Sequence, residues 1–220
     1  METVKGFKDY SGEEALKRQK LKEVLTRYFT LYGYEPAETP VIEYEKFVKG
    51  DNPQDEAVSD IFKLKDKGKR DLALRYEFTF QLKRLVKNKK LPYKRFQIGE
   101  VFRDEPVGPN RFRQFTQFDV DIIGDETIKS DAECLAFADS VIKELKINAQ
   151  IKVNNRKLLN SILEKSGILK NRQQVLREID KIDKLSEKEV KSNLKKTISE
   201  KQIKELFSLL GKDLEYFIKN

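Results

Sequence analysis

The side chains best suited to chemistry lie between Arg95 and Gly124, in the run RFQIGEVFRDEPVGPNRFRQFTQFDVDIIG. Its alternation predicts two long strands, 95–105 and 112–123, joined by a polar loop with two prolines, a glycine and an asparagine. Successive side chains on a strand face opposite ways. Phe96, Ile98 and Phe102 therefore share one face of the first strand, with Arg103 and Glu105 on the other. On the second, Phe112, Phe118, Val120 and Ile122 oppose Arg113, Gln117, Asp119 and Asp121. A sheet that is apolar on one side and carries Arg, Gln and Asp on the other can floor a site for a polar, charged ligand. Alternation alone describes a one-sided surface hairpin equally well.

Composition narrows the chemistry. The chain has no histidine, which excludes histidine general bases, Ser-His-Asp triads and His-containing metal sites. Reactivity must rest on Arg, Lys and carboxylates, groups suited to binding phosphate and stabilising charge; no metal ligands are expected. The single Cys134 has no partner for an internal disulfide and reads as a buried, inert helical thiol. With no secretory signal or membrane-spanning run, a reducing cytoplasmic setting is expected. The formal charge of +8 is uneven: residues 1–150 hold 28 Lys and Arg against 27 Asp and Glu, and residues 151–220 hold 17 against 10. The last third, at +7, is where a polyanion such as RNA would be met, although a solvated Lys-rich helical surface has the same composition.

The remaining elements must position those residues. Ser11 with Glu14 predicts a capping box opening a helix over 13–32, with Leu21, Val24, Leu25, Tyr28, Phe29 and Tyr32 as its apolar stripe and Gly33 as its stop. A strand follows at 39–44, then an acidic, turn-rich loop at 51–60 and short strands at 61–64 and 71–75. Arg75, Glu77 and Thr79 precede a helix striped by Phe80, Leu82, Leu85 and Val86. A carboxylate beside a hydroxyl matches an ammonium group, though acidic residues also favour helix starts for their own sake. Residues 130–145 predict a second amphipathic helix through Ala132, Leu135, Ala136, Val141 and Leu145, and 147–153 a strand. From about residue 171 the pattern is helical and Lys-rich, with capping boxes at Ser186/Glu189 and Ser199/Gln202.

The central run also resembles motif 2 of the class II aminoacyl-tRNA synthetases, and more narrowly the histidyl-tRNA synthetase version R-[FY]-R-x-F-x-Q-x-x-x-[DE], met by Arg111, Phe112, Arg113, Phe115, Gln117 and Asp121. The helix–Gly–strand around Pro40 resembles motif 1, which forms the dimer interface in that family. The Arg75-x-Glu77-x-Thr79 core resembles the histidine-binding segment, and the Asn154-Asn155-Arg156 run resembles archaeal and eukaryotic members in particular. The resemblance runs from residue 5 to at least residue 185. It implies an α+β fold: a class II-like antiparallel sheet with the hairpin near its centre, flanked by the two long helices, over residues 1–160. A Lys-rich helical insertion, thought in the family to approach tRNA, would occupy 161–220.

By the same resemblance, Arg103 is the motif 2 arginine that contacts the ATP α-phosphate and the substrate carboxylate. Glu77, Phe78, Thr79, Gln117 and Asp121 join it in binding histidine. Glu105, Arg111, Arg113 and Phe115 join it in binding ATP, with magnesium carried on the phosphates. The reaction implied is activation of histidine to its adenylate and transfer to tRNA(His), by a homodimer joined through motif 1. The family's Gly-rich motif 3, its R-G-L-D-Y-Y-T-G-like segment and its anticodon-binding domain have no counterpart in these 220 residues. The chain thus resembles the front half of a synthetase, whether a fragment, a truncation or one part of a split enzyme whose second chain supplies motif 3. A synthetase-like regulator of histidine biosynthesis is the other reading; the basic helical appendage favours the ligase.

Overall fold

The computed structural model describes residues 2–50, 56–182 and 184–219. In chain order its elements are α1 (Gly12–Leu31), β1 (Glu35–Pro36), β2 (Ile42–Tyr44), α2 (Glu45–Lys49), α3 (Glu56–Ser59), β3 (Lys63–Lys65), β4 (Asp71–Leu74) and α4 (Thr79–Leu85). After a 3-10 turn come the hairpin strands β5 (Tyr93–Phe102) and β6 (Gln114–Ile123), then α5 (Ile128–Glu144). The helices α6 (Arg156–Lys165), α7 (Arg172–Ile179), α8 (Glu187–Leu194), α9 (Glu200–Leu210) and α10 (Leu214–Lys219) follow. The fold class is α+β, as expected.

Two three-stranded sheets form, in the orders β1-β5-β6 and β2-β4-β3. β5 and β6 pair antiparallel over ten residues, while β1 joins β5 in parallel. The expected central position holds for β5; β6 is an edge among the described strands. Helices α1 and α5 cover the apolar face of this sheet. Phe29 stacks between Phe96 at 4.7 Å and Phe137 at 4.8 Å, and Leu25, Tyr34 and Val141 complete the buried cluster. Each such side chain contributes about 1.5–3 kcal/mol by leaving water. A smaller core of Val48, Val58, Ile61, Ala73 and Tyr76 lies around the second sheet, with Phe80 packed on it.

Several local expectations are corrected. Ser11 is the N-cap of α1 but makes no side-chain cap, and the Glu14 side chain pairs with Lys8 at 2.7 Å rather than closing a box. The buried stripe of α5 runs through Phe137 and Val141, leaving Leu135 exposed, and Cys134 is half-buried rather than buried. Residues 147–153 form no strand. Of the expected acidic loop, 51–55 lie outside the described residues and Glu56–Ser59 form α3.

The chain divides into two compact units, 1–149 and 150–220. The expected boundary at 160/161 would cut α6, whose Ile162 and Leu163 are buried with Val175, Val190, Leu194 and Leu206 in the core of the second unit. In that unit Ser186 and Ser199 close capping boxes with Glu189 and Gln202, as the spacing predicts.

Candidate active site

Directly opposed residues in an antiparallel ladder project to the same side. The register sets Arg95 against Asp121, Gln97 against Asp119, Gly99 against Gln117 and Val101 against Phe115. These residues share the face turned away from α1 and α5. Arg95 is fully buried, and its Nη2 lies 2.5 Å from Asp121 Oδ2 and 3.1 Å from Asp119 Oδ2. Removing the carboxylates would strand a buried guanidinium at a cost of about 3–5 kcal/mol. Gln97, also buried, donates through Nε2 to Thr39 Oγ1 at 2.7 Å.

The segment from Arg75 to Thr79 runs beside this face. Arg75 anchors it, donating Nε to the Glu100 carbonyl at 2.8 Å and Nη1 to the Thr39 carbonyl at 2.7 Å. Gly99 is needed where Arg75 crosses β5: an added Cβ would fall 2.7 Å from Arg75 Nη2. Glu77 is thereby held at the start of α4, where its Oε1 accepts from the Phe80 N–H at 3.2 Å. The helix-start role and the site role thus coexist in one carboxylate. Burial raises the Glu77 carboxyl above its ordinary range, the Phe80 N–H opposes that, and nearby Asp119 pushes it further up. Asp121 is likewise raised by burial, against the pull of Arg95 and with the push of Asp119 and Glu77.

Arg103 folds back over this group. Its Nε donates to the Tyr76 carbonyl at 3.1 Å, its guanidinium sits 5.1 Å from the Phe115 ring centroid, and its charge lowers the Glu77 pKa. Past the strand ends, Glu105 pairs with Arg111, and Arg113 donates Nε to the Glu105 carbonyl at 3.1 Å. The backbone N–H of Arg113 donates to the Gly6 carbonyl at 2.9 Å. Gly6 has φ +87°, and a Cβ there would meet Arg113 Cγ at 2.7 Å, so only glycine lets the N-terminal residues lie against this end of the hairpin.

Eight of the ten predicted residues therefore fall into two groups. Glu77, Arg103, Phe115 and Asp121 come together at the floor, with Gln117 on the same face. Glu105, Arg111 and Arg113 cluster at the open end of the hairpin. Thr79 is exposed at the first residue of α4. The Phe78 ring is fully buried, 4.8 Å from the Arg75 guanidinium, and packs on the same face of β5 at Gly99, where an added Cβ would meet it at 3.5 Å. Arg95 and Gln97 were not singled out by the sequence reading. The alternation that placed Phe96 and Ile98 on the apolar face puts both on the polar one, and only the register shows Arg95 opposite Asp121. A separate cavity of about 640 Å³, lined by Tyr44, Phe47, Phe80 and Lys83 among others, shares no residue with this face. Among the described residues no group of three or more His, Cys, Asp or Glu could hold a metal ion.

An antiparallel hairpin with an arginine at the end of its first strand, facing a carboxylate-lined floor and backed by two long helices, defines a class II aminoacyl-tRNA synthetase catalytic fold. A model of the histidyl-tRNA synthetase family matches residues 6–217, and the chain belongs to that family. It is 43% identical over 190 residues to histidine–tRNA ligase 1 of Bacillus cereus (strain ATCC 10987 / NRS 248), covering 84% of this chain and 44% of the relative. To the histidine–tRNA ligase of Wolinella succinogenes it is 39% identical over 193 residues, 86% of this chain and 43% of that protein. The crystal structure of histidyl-tRNA synthetase from Nostoc sp. PCC 7120 superposes with a TM-score of 0.84 at 25% identity, over 96% of this chain and 49% of that one. An ATP phosphoribosyltransferase regulatory subunit/histidyl-tRNA synthetase from Bacillus halodurans C shares the fold, with a TM-score of 0.77 at 23% identity, over 93% of this chain and 54% of that one. The chain thus spans less than half the length of these curated relatives.

Proposed function

We propose that this chain supplies the histidine floor and the motif 2 arm of a histidine–tRNA ligase. The observation that carries the reading is the meeting of Arg103 with Glu77 over a face that also holds Asp121 and Gln117. Glu77, Thr79, Gln117 and Asp121 bind the ammonium and imidazole nitrogens of histidine, and Phe78 contributes through its backbone. Arg103 receives the histidine carboxylate and the α-phosphate of ATP. That carboxylate attacks the α-phosphorus in line, forming histidyl-adenylate and releasing pyrophosphate; the adenylate then passes its histidyl group to tRNA(His). Such a step depends on positioning and charge neutralisation more than on proton transfer, which suits a chain without histidine. Phe115 offers its ring to adenine, and Glu105, Arg111 and Arg113 line the phosphate approach. Magnesium enters on the phosphates of ATP.

Supporting features extend to the partners. Val41, Ile42, Tyr44 and Leu64 expose an apolar strip around the second sheet, the surface through which a motif 1 homodimer would form. The basic second unit, with Lys188, Lys195, Lys201 and Lys204 exposed, suits the backbone of tRNA. The second ATP arginine and the anticodon-binding region come from sequence that the relatives carry beyond the matched half, on this polypeptide or on a second chain. No helix of the described residues is long and apolar enough to cross a membrane. The test has two arms: calorimetric binding of histidine to the 220-residue chain, and histidine-dependent ATP–pyrophosphate exchange by the chain complemented with the remaining half of a relative. Binding and exchange are expected; absence of both overturns the reading.

A further inference from the structure

One buried cation organises the acids of the floor. Arg95 is fully buried and reaches both Asp119 and Asp121 through the same nitrogen, Nη2, at 3.1 and 2.5 Å. The two carboxylates stand two residues apart on one strand face, and their like charges would turn them away from each other without a cation between them. With it, they stay together while each side chain keeps about a fifth of its surface open, 22% for Asp119 and 23% for Asp121. Glu77 faces the same group from the start of α4 and Arg103 from the end of β5. Asp119, Asp121 and Glu77 gather carboxylate oxygens at one place on the floor, complementary to the nitrogens of an amino acid whose own carboxylate is taken by Arg103. Arg95 Nε and Nη1 and Gln97 Oε1 are buried with no hydrogen-bond partner among the described residues. A mere tie between strands would not need so costly a layer, since an apolar pair of the same volume does that work as well or better.

We propose that Arg95 is a positioning residue that holds Asp119 and Asp121 side by side, and that Asp119 joins Asp121 and Glu77 in receiving the nitrogen groups of the amino-acid substrate. The proposal rests on the histidine-ligase reading for the identity of that substrate. Arg95 touches no substrate; it acts through the two aspartates.

Two variants of the 220-residue chain test it, Asp119→Asn, which is isosteric, and Arg95→Lys, which keeps the charge but loses the planar fork. Histidine affinity is measured by calorimetry, and the Asp121 carboxyl is titrated by carbon NMR. Asp119→Asn should weaken histidine about tenfold or more, the scale of one hydrogen bond to a charged group. Arg95→Lys should weaken it as well and move the Asp121 titration to higher pH, because the Arg95 charge holds that carboxyl down. Histidinol, which lacks the carboxylate, and imidazolepropionate, which lacks the ammonium, locate the contact. A loss kept with histidinol and absent with imidazolepropionate places the ammonium at Asp119, and a loss kept with both places the ring there. Asp119→Asn within twofold of the wild type overturns the substrate contact. Arg95→Lys with an unmoved Asp121 titration overturns the positioning role. If the unaltered chain binds no histidine, the ligase reading fails, and the Asp121 titration still judges Arg95.

Discussion

In the second unit, Ser186 and Ser199 close reciprocal capping boxes, and Val190, Leu194 and Leu206 are buried among other aliphatic side chains. Across the hairpin face, Arg95 and Gln97 are just as deeply buried yet keep polar atoms with no protein partner among the described residues. The carboxylates diverge in the same way. Glu178, Glu189 and Glu200 in the second unit are held below their ordinary range, chiefly by hydrogen bonds to Lys181, Ser186 and Lys195. Glu77 and Asp121 are pushed above theirs, chiefly by burial. In one region pattern, caps and charges agree, which is what specifies a stable structure. In the other they conflict, and the conflict is maintained by tight anchoring through Arg75 and Gly99. Local disagreement of that kind marks a site, and local agreement marks a scaffold.

The comparison breaks most visibly if core and site cannot be separated. Leu206→Ala removes a fully buried side chain from the second unit and should cost about 2–5 kcal/mol in denaturant unfolding. Histidine affinity of the 1–149 unit should not change; a parallel loss of affinity would show that the two regions are one energetic system. Arg103→Ala is the converse. In a complemented enzyme it should lower ATP–pyrophosphate exchange on the order of a hundredfold, about 3 kcal/mol of transition-state stabilisation, with thermal stability little altered. A fall of less than tenfold would remove Arg103 from its role. Ser199→Ala should cost about 1 kcal/mol of stability by opening one capping box, without effect on binding or exchange.

The same contrast explains what could be read from sequence. Where one local rule acts, the reading succeeded: the hairpin from its alternation, α1 from its stripe, the Ser186 and Ser199 caps from Ser-x-x-Glu/Gln spacing. Where a long-range partner intervenes, it failed. The α5 stripe was set by Phe137 stacking on Phe29, not by the spacing of its aliphatic residues. The apolar run at 147–153 found no ladder. At the site, the motif placed Arg103 and Asp121 correctly on the polar side, whereas the burial of Phe78 and the pairing of Arg95 depend on register and packing that no local pattern encodes.

The smallest expected effect is also the most diagnostic. Glu77 carries a carboxyl whose native pKa is raised by burial, so the folded state holds its proton to higher pH than the unfolded state does. Between the unfolded value, about 4.3, and the higher native one, the folded chain therefore binds more protons, and stability falls as pH rises through that window. Above it, the ionised Glu77 persists as a standing cost at neutral pH. Glu77→Gln keeps an oxygen to accept from the Phe80 N–H and removes the charge. It should raise stability at pH 7 on the order of 0.5 kcal/mol, leave stability near pH 4 unchanged and flatten the slope between them. Histidine binding should weaken in the same variant if, as proposed, the charge that strains the fold is the one that meets the substrate. Thermal unfolding from pH 4 to 8, with calorimetry at pH 7, checks both halves. A variant less stable than the wild type at pH 7 would mean that Arg103 already neutralises Glu77 fully, and the strained carboxylate at this site would be an illusion of burial.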